Sequence, residues 1–232
     1  MRRALSRSLA AILVLGWAAS GCGARGSARP AATVSGQMPG QSGGGAPGPV
    51  TTAPSGGRPV RVTLYHLASQ PCPDAAQVAL PRCGGGAIAL VSHGFLKAAK
   101  MQGSAKLCDG RVVSVGKLSP VCFRVAAEGF PWGATASGRP AAPFRSIAVD
   151  PKVFTLGRWY YVRELDGLAL PPPAEGKKHD GCVRADDVGG AVKGDLVDLF
   201  VGSRAAVMAL GARLTSFHLA DGDHYCAQAG PL

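Results

Sequence analysis

Two aspartates in the stretch RADDVGGAVKGDLVDLFVG, residues 184–202, are the side chains best placed to do chemistry. Asp187 precedes a glycine-rich turn. Asp198 follows it, inside the apolar run Leu196, Val197, Leu199, Phe200 and Val201. A carboxylate among such neighbours is costly to keep charged. Burial raises its pKa, and a second negative charge close by raises it further. A carboxyl that stays protonated near neutral pH can act as a general acid. Asp150, in IAVDP, also adjoins an apolar strand, but a strand-to-turn junction accounts for an aspartate there without any chemistry. The same structural account covers Asp187 beside its turn. It fails for Asp198, which sits mid-strand with no turn to cap.

Other site chemistries do not fit. VGGAVKG contains Lys193 but lacks the G-x-x-x-x-G-K-S/T spacing of a phosphate-binding loop. The five histidines, His66, His93, His179, His218 and His224, stand in no nucleophile motif, and there is no H-E-x-x-H pair. His179 and His224 lie near Cys182 and Cys226, but no C-x-x-C pair supports zinc, so no metal and no cofactor are expected.

The elements around these residues are short, apolar and bounded by turns. Strand patterns fall at 60–68, 86–92, 110–115, 121–126, 145–150, 158–165, 195–202 and 212–220. Ser203 is placed to cap a helix over Arg204–Leu210, with Gly211 at its end. Phe95–Met101 reads as a short helix or a strand. Many short strands with few helices predict an all-β barrel or sandwich.

The first 21 residues form an export signal, with Arg2, Arg3 and Arg7 ahead of the apolar core at 9–20. That core is too short to span a bilayer. ASGC, Ala19–Cys22, resembles a bacterial lipobox with alanine where leucine is usual, which predicts lipidation of Cys22. Ordinary signal cleavage is the alternative. Gly23 after the cysteine, rather than Asp, favours the outer membrane, facing the periplasm. Residues 22–58 are a Gly/Pro/Ser tether with too little apolar surface to fold. Residues 59–232 are long enough for one domain with a core.

Six cysteines besides Cys22 fit an oxidising compartment and disulfide-stapled loops, with 15 possible pairings. Near-sequence pairing joins Cys72 to Cys83, Cys108 to Cys122, and Cys182 to Cys226. The formal charge is +11, and removing the three signal arginines leaves 11 − 3 = +8. A basic exported domain suits anionic wall polymers. Few aromatics and an exported location argue against nucleic acid.

SIAVDPKVFTLG (146–157) followed by DDVGGAVKGDLVDLFVG (186–202) resembles the 3D domain, named for three aspartates that here are Asp150, Asp187 and Asp198. The same signature ends the membrane-bound lytic transglycosylase A family. VTLYHLA (62–68), MQGSAKLCDGR (101–111) and TASGRP (135–140) resemble further segments of that family. The resemblance implies a six-stranded double-psi β-barrel with short helices. It implies cleavage of peptidoglycan glycan strands, with Asp198 as the single acid/base. It implies that Asp150 and Asp187 shape the site, and that Thr63, Gln102, Gly103 and Ser104 line the sugar groove. Gly189, Gly190 and Gly194 would permit close backbone approach to the glycan, and Lys193 would steady its oxygens or carboxylates. The larger relatives carry a sizeable inserted domain, whereas the interval between Leu67 and Asp150 leaves room for only a small one. Residues 171–180 are expected to edge the groove.

Three functions are consistent with this reading: a lytic transglycosylase, a non-catalytic peptidoglycan-binding barrel, and a structural lipoprotein of the envelope.

Overall fold

The structure is a computed structural model and describes residues 52–232. The export signal, Cys22 and most of the tether lie outside the described residues. Among the described residues no helix is long and apolar enough to cross a membrane.

In chain order the strands are β1 (Arg58–Tyr65), β2 (Ala68–Ser69), β3 (Val78–Pro81), β4 (Ala87–Val91), β5 (Ser104–Lys106), β6 (Val112–Leu118), β7 (Val121–Val125), β8 (Ser146–Ala148), β9 (Trp159–Val162), β10 (Cys182–Asp187), β11 (Leu196–Phe200) and β12 (Ser216–Asp221). The helices are α1 (His93–Gln102) and α2 (Arg204–Leu210). Six strands close into a barrel in the order β1-β11-β8-β10-β9-β12. Its β1/β11 and β8/β10 pairs are parallel and the other four antiparallel. This is the six-stranded double-psi barrel the sequence led us to expect.

Alternation builds the barrel. Val197 and Leu199 of β11, Val60 and Val62 of β1, and Ile147 of β8 all point into one core with Phe144, Val183 and Phe217. Removing each such side chain from water is worth about 1.5–3 kcal/mol. The residues between them necessarily face outward.

A small lobe is inserted between β1 and β8. Its four-stranded sheet, β2-β5-β6-β7, and the β3–β4 hairpin enclose a second core with α1, built on Leu80, Val91, Phe95, Val113 and Phe123. The strand patterns read at 86–92, 110–115 and 121–126 therefore belong to the lobe. Of the strands between Leu67 and Asp150, only β8 joins the barrel. α1 is a helix, capped by the Ser92 hydroxyl accepting from Phe95 N and ended by Gly103 at φ 77. α2 starts at Ser203 as expected. Gly211 ends it with right-handed φ −57, and here glycine relieves crowding, because a Cβ would lie 2.8 Å from the Val207 carbonyl.

Two of the three disulfides differ from the near-sequence pairing. The bonds are Cys72–Cys108, Cys83–Cys122 and Cys182–Cys226. Strand register explains the change. β2 runs parallel to β5, with Gln70 N donating to Lys106 O, which sets Cys72 beside Cys108. Cys83 N donates to Phe123 O, which sets Cys83 beside Cys122. Pairing chosen by shortest loop ignores these lateral contacts.

Candidate active site

The barrel and lobe enclose a groove of about 740 Å³. Its barrel wall carries Tyr65, Ala148, Asp187 and Asp198, and its lobe wall is made largely by β6, β7 and the end of α1.

Strand order sets the two acids. Ala148 of β8 is the register partner of Asp198 on one side and Asp187 on the other. The acids therefore share one outward face of the sheet, two strand spacings apart, or roughly 10 Å between backbones. The small Ala148 side chain leaves the space between them open. Asp187 reaches this face through an irregularity. β10 shifts register between Ala185 and Asp187, so Asp186 is an extra residue and Asp187 takes the place opposite Ala148. Asp186 is buried, accepting from Ser146 Oγ at 2.8 Å and Arg184 Nε at 2.6 Å.

The two acids differ in what holds them. Asp187 Oδ1 accepts from Ala136 N and Val188 N, both at 2.9 Å, and Oδ2 accepts from the Tyr65 hydroxyl at 3.3 Å. Burial raises its pKa, and these donors act against the rise. Asp198 Oδ1 is buried and has no hydrogen-bond partner among the described residues. Burial pushes the Asp198 carboxyl up to about 6; Thr63 holds it back somewhat and the negative Asp187 adds to the rise. The Tyr65 phenol is driven well above its ordinary range, first by burial and then by Asp187 and Asp198. It stays protonated and donates. Its ring packs on Phe200 with centroids 5.0 Å apart, and Phe200 meets Trp132 edge-on at 6.1 Å.

The remaining expected site residues separate into groups. Gln102, Gly103, Gly189 and Gly190 line the groove. The Gln102 Oε1 atom is engaged by His66 N at 2.9 Å and His66 Nδ1 at 2.7 Å, which joins the end of β1 to the end of α1. Gly190 approaches the lobe, since a Cβ there would lie 3.6 Å from Leu118. Thr63 is exposed beside Asp198 as its register partner, its hydroxyl 3.5 Å from Val197 O.

Thr63 and three further residues expected at the groove do not line it. Ser104 is buried, paired with Ser114 Oγ at 2.9 Å under Gly133, where a Cβ would collide with both hydroxyls. Asp150 is buried and accepts from Lys152 N at 3.0 Å and Gly194 N at 2.9 Å, and these donors pull its pKa below the ordinary carboxylate value. It fastens the end of β8 to the glycine-rich turn. Lys193 is exposed on that turn and adds to the lowering at Asp150. None of residues 171–180 lines the groove either.

Cys182 and Cys226 are bonded to each other, so neither is free to ligate a metal. His179 is buried, with Nε2 2.6 Å from Phe144 O and Nδ1 accepting from Gly181 N at 2.9 Å; desolvation lowers it to about 4. It is a neutral structural histidine.

Sequence reasoning missed Tyr65, Ala136, Ala148 and the cations of the lobe wall. Period-2 alternation from Thr63 was enough to find Tyr65. Ala136 acts through its backbone, and the lobe residues reach the groove only through the packing of the lobe on the barrel.

Residues 145–219 match the sequence profile of the 3D domain, a span that includes Asp150, Asp187 and Asp198. The resemblance read from the sequence is borne out over that segment. No curated protein matches the chain. Among solved structures, Escherichia coli MltA with bound chitohexaose is similar at 16% identity, over 70% of this chain and 72% of that one, with a TM-score of 0.48. A membrane-bound lytic murein transglycosylase from Agrobacterium tumefaciens is similar at 15% identity over 75% and 78%, TM-score 0.47. The lytic transglycosylase LtgG of Burkholderia pseudomallei is similar at 19% identity over 69% and 71%, TM-score 0.40.

Proposed function

We propose that the groove binds a peptidoglycan glycan strand and that Asp198 cleaves its MurNAc–GlcNAc bond as a lytic transglycosylase. The observation that carries this reading is a half-buried carboxyl, raised to about 6, that lines the groove and has one oxygen without a hydrogen-bond partner among the described residues.

Protonated Asp198 gives its proton to the glycosidic oxygen, the C1–O bond breaks, and positive charge develops at C1 of MurNAc. The carboxylate left behind takes the proton of the MurNAc C6 hydroxyl as that oxygen bonds to C1. The product is a 1,6-anhydro ring, and the second transfer leaves Asp198 protonated for the next cycle. No water nucleophile is consumed, so the second free carboxylate of a hydrolase is not needed. Asp187 suits a supporting part: three donors hold it in place, and its negative charge adds to the rise that burial gives Asp198.

A glycan substrate of this kind puts the protein in the bacterial cell envelope. The N-terminal sequence supports export with a lipid anchor on Cys22, followed by a tether to residue 58 and a catalytic domain over 59–232.

The test is mass spectrometry of purified sacculi incubated with the protein. Products ending in 1,6-anhydro-MurNAc, absent with Asp198→Asn, are expected. Reducing-end MurNAc would mean hydrolysis. No product, with the protein pelleting on the sacculi, would leave a peptidoglycan-binding barrel.

A further inference from the structure

Three cations, Lys100, Lys117 and Arg124, line the groove on its lobe side. None has an ion-pair partner among the described residues, whereas Arg58, Arg111, Arg145, Arg158 and Arg184 are each paired with an aspartate. No acid of the lobe lines the groove; its acids, Asp187 and Asp198, stand on the barrel wall.

The cations sit on a constructed ledge. β6 shifts register between Val115 and Lys117, so Gly116 is an extra residue, and a bulge of this kind re-aims the side chain that follows it. A Cβ on Gly116 would lie 2.6 Å from Cys83 Sγ and 3.3 Å from both Cγ and Nε of Arg124. The Arg124 side chain therefore lies across the bare backbone of Gly116. Cys122, the register partner of Lys117, is bonded to Cys83, which pins the bulge from behind. Leu118, 49% exposed, extends the ledge toward Gly190.

We infer that this ledge is a carboxylate-binding subsite, through which the groove selects a glycan bearing acidic substituents over a neutral one. The inference rests on the proposed peptidoglycan substrate. Two sources of carboxylate occur on such a strand: the stem peptides, and the lactyl groups of MurNAc where the peptides have been removed. Either is repelled by the acidic barrel wall and attracted by the ledge, so charge also fixes which side of the strand faces Asp198. Exposed pairs are individually weak, and two or three together are expected to change affinity by about tenfold.

Binding is measured in the Asp198→Asn background, which keeps the ligand intact, with and without Lys117→Ala/Arg124→Ala. The probes are peptide-bearing glycan strands, peptide-free strands and neutral chitohexaose, at low and high salt. The double substitution is expected to weaken the acidic strands about tenfold, to remove their salt dependence and to leave chitohexaose unchanged. Loss confined to peptide-bearing strands identifies the stem carboxylates, loss confined to peptide-free strands identifies the lactyl groups, and loss on both means that the ledge takes either carboxylate. An unchanged affinity for the acidic strands, or an equal loss on chitohexaose, overturns the ledge while the groove reading stands. Failure of the parent to bind any of the three overturns the groove reading itself. Both positions are exposed, and Lys117→Gln/Arg124→Gln, which keeps the aliphatic stems, guards against a folding defect.

Discussion

The two walls of the groove are built on different principles. The barrel wall rests on a closed sheet whose strands come from both ends of the domain, and its acids are aimed by register and by a bulge at Asp186. The lobe wall rests on a small local sheet, and its cations are aimed by a bulge at Gly116 with a disulfide behind it. A large shared core makes the barrel rigid enough to keep a raised carboxyl in place. The lobe core is small, and small cores call for covalent staples. On the proposed reading, chemistry lies on the wall with the larger core, and recognition on the wall that carries two of the three disulfides.

The largest effect expected from breaking this contrast is at Asp198. Asp198→Asn should reduce release of anhydro products by about a thousandfold or more, because the transferable proton is gone. Binding to sacculi should remain. A variant that still cleaves would remove Asp198 from the mechanism.

On the other wall, Cys83→Ser/Cys122→Ser should cost about 2–4 kcal/mol, felt in the lobe. Hydrogen exchange should show amides of β6 and β7 losing protection while β8 and β11 keep theirs. Equal loss in both regions would mean that the walls are one cooperative unit.

The barrel wall also sets the pH response. With Asp198 at about 6, cleavage should fall about tenfold for each pH unit above that value, as the protonated fraction falls. Glycan binding by Asp198→Asn should stay flat over the same range. A pH-independent rate between 6 and 8 would contradict the acid role.

The smallest effect is on stability. The folded-state pKa of Asp198 lies above its ordinary 3.8, so its contribution is full below about pH 4 and is lost as pH rises through about 6. That loss is at most about 3 kcal/mol, and about 1–2 after allowance for the open side of the groove. Asp198→Asn should therefore melt higher than the parent at pH 7–8 and not at pH 4. An equal melting difference at both pH values would assign the effect to packing.

Much of this was legible in the sequence because it follows from local patterns. Apolar alternation located eight strand patterns, and each overlaps a strand of the barrel or the lobe; the bounds differ most at 212–220, since β12 starts at Ser216. The carboxyl in LVDLF was conspicuous because no turn explains it. β10 was not legible: CVRADD holds three charged residues in six, which hides a strand buried by its neighbours. β2 and β5 were too short to show a period. The DDVGG motif singled out Asp187, but the reason Asp187 rather than Asp186 meets the groove is the register shift against β8, which no local pattern reports.

The sequence by itself determined that residues near 58–232 form short strands around an apolar core, that one acid would be buried in a strand, and that six cysteines were available for cross-links. Those properties depend on neighbours within a few residues. Tertiary structure decided which cysteines met, which strands closed the barrel and which formed the lobe, and that Ala148 would stand between the two acids. It also decided that three cations without an ion-pair partner among the described residues would line the groove with them. Each of these is set by lateral register between segments far apart in the chain, where a shift of one residue turns every side chain to the opposite face.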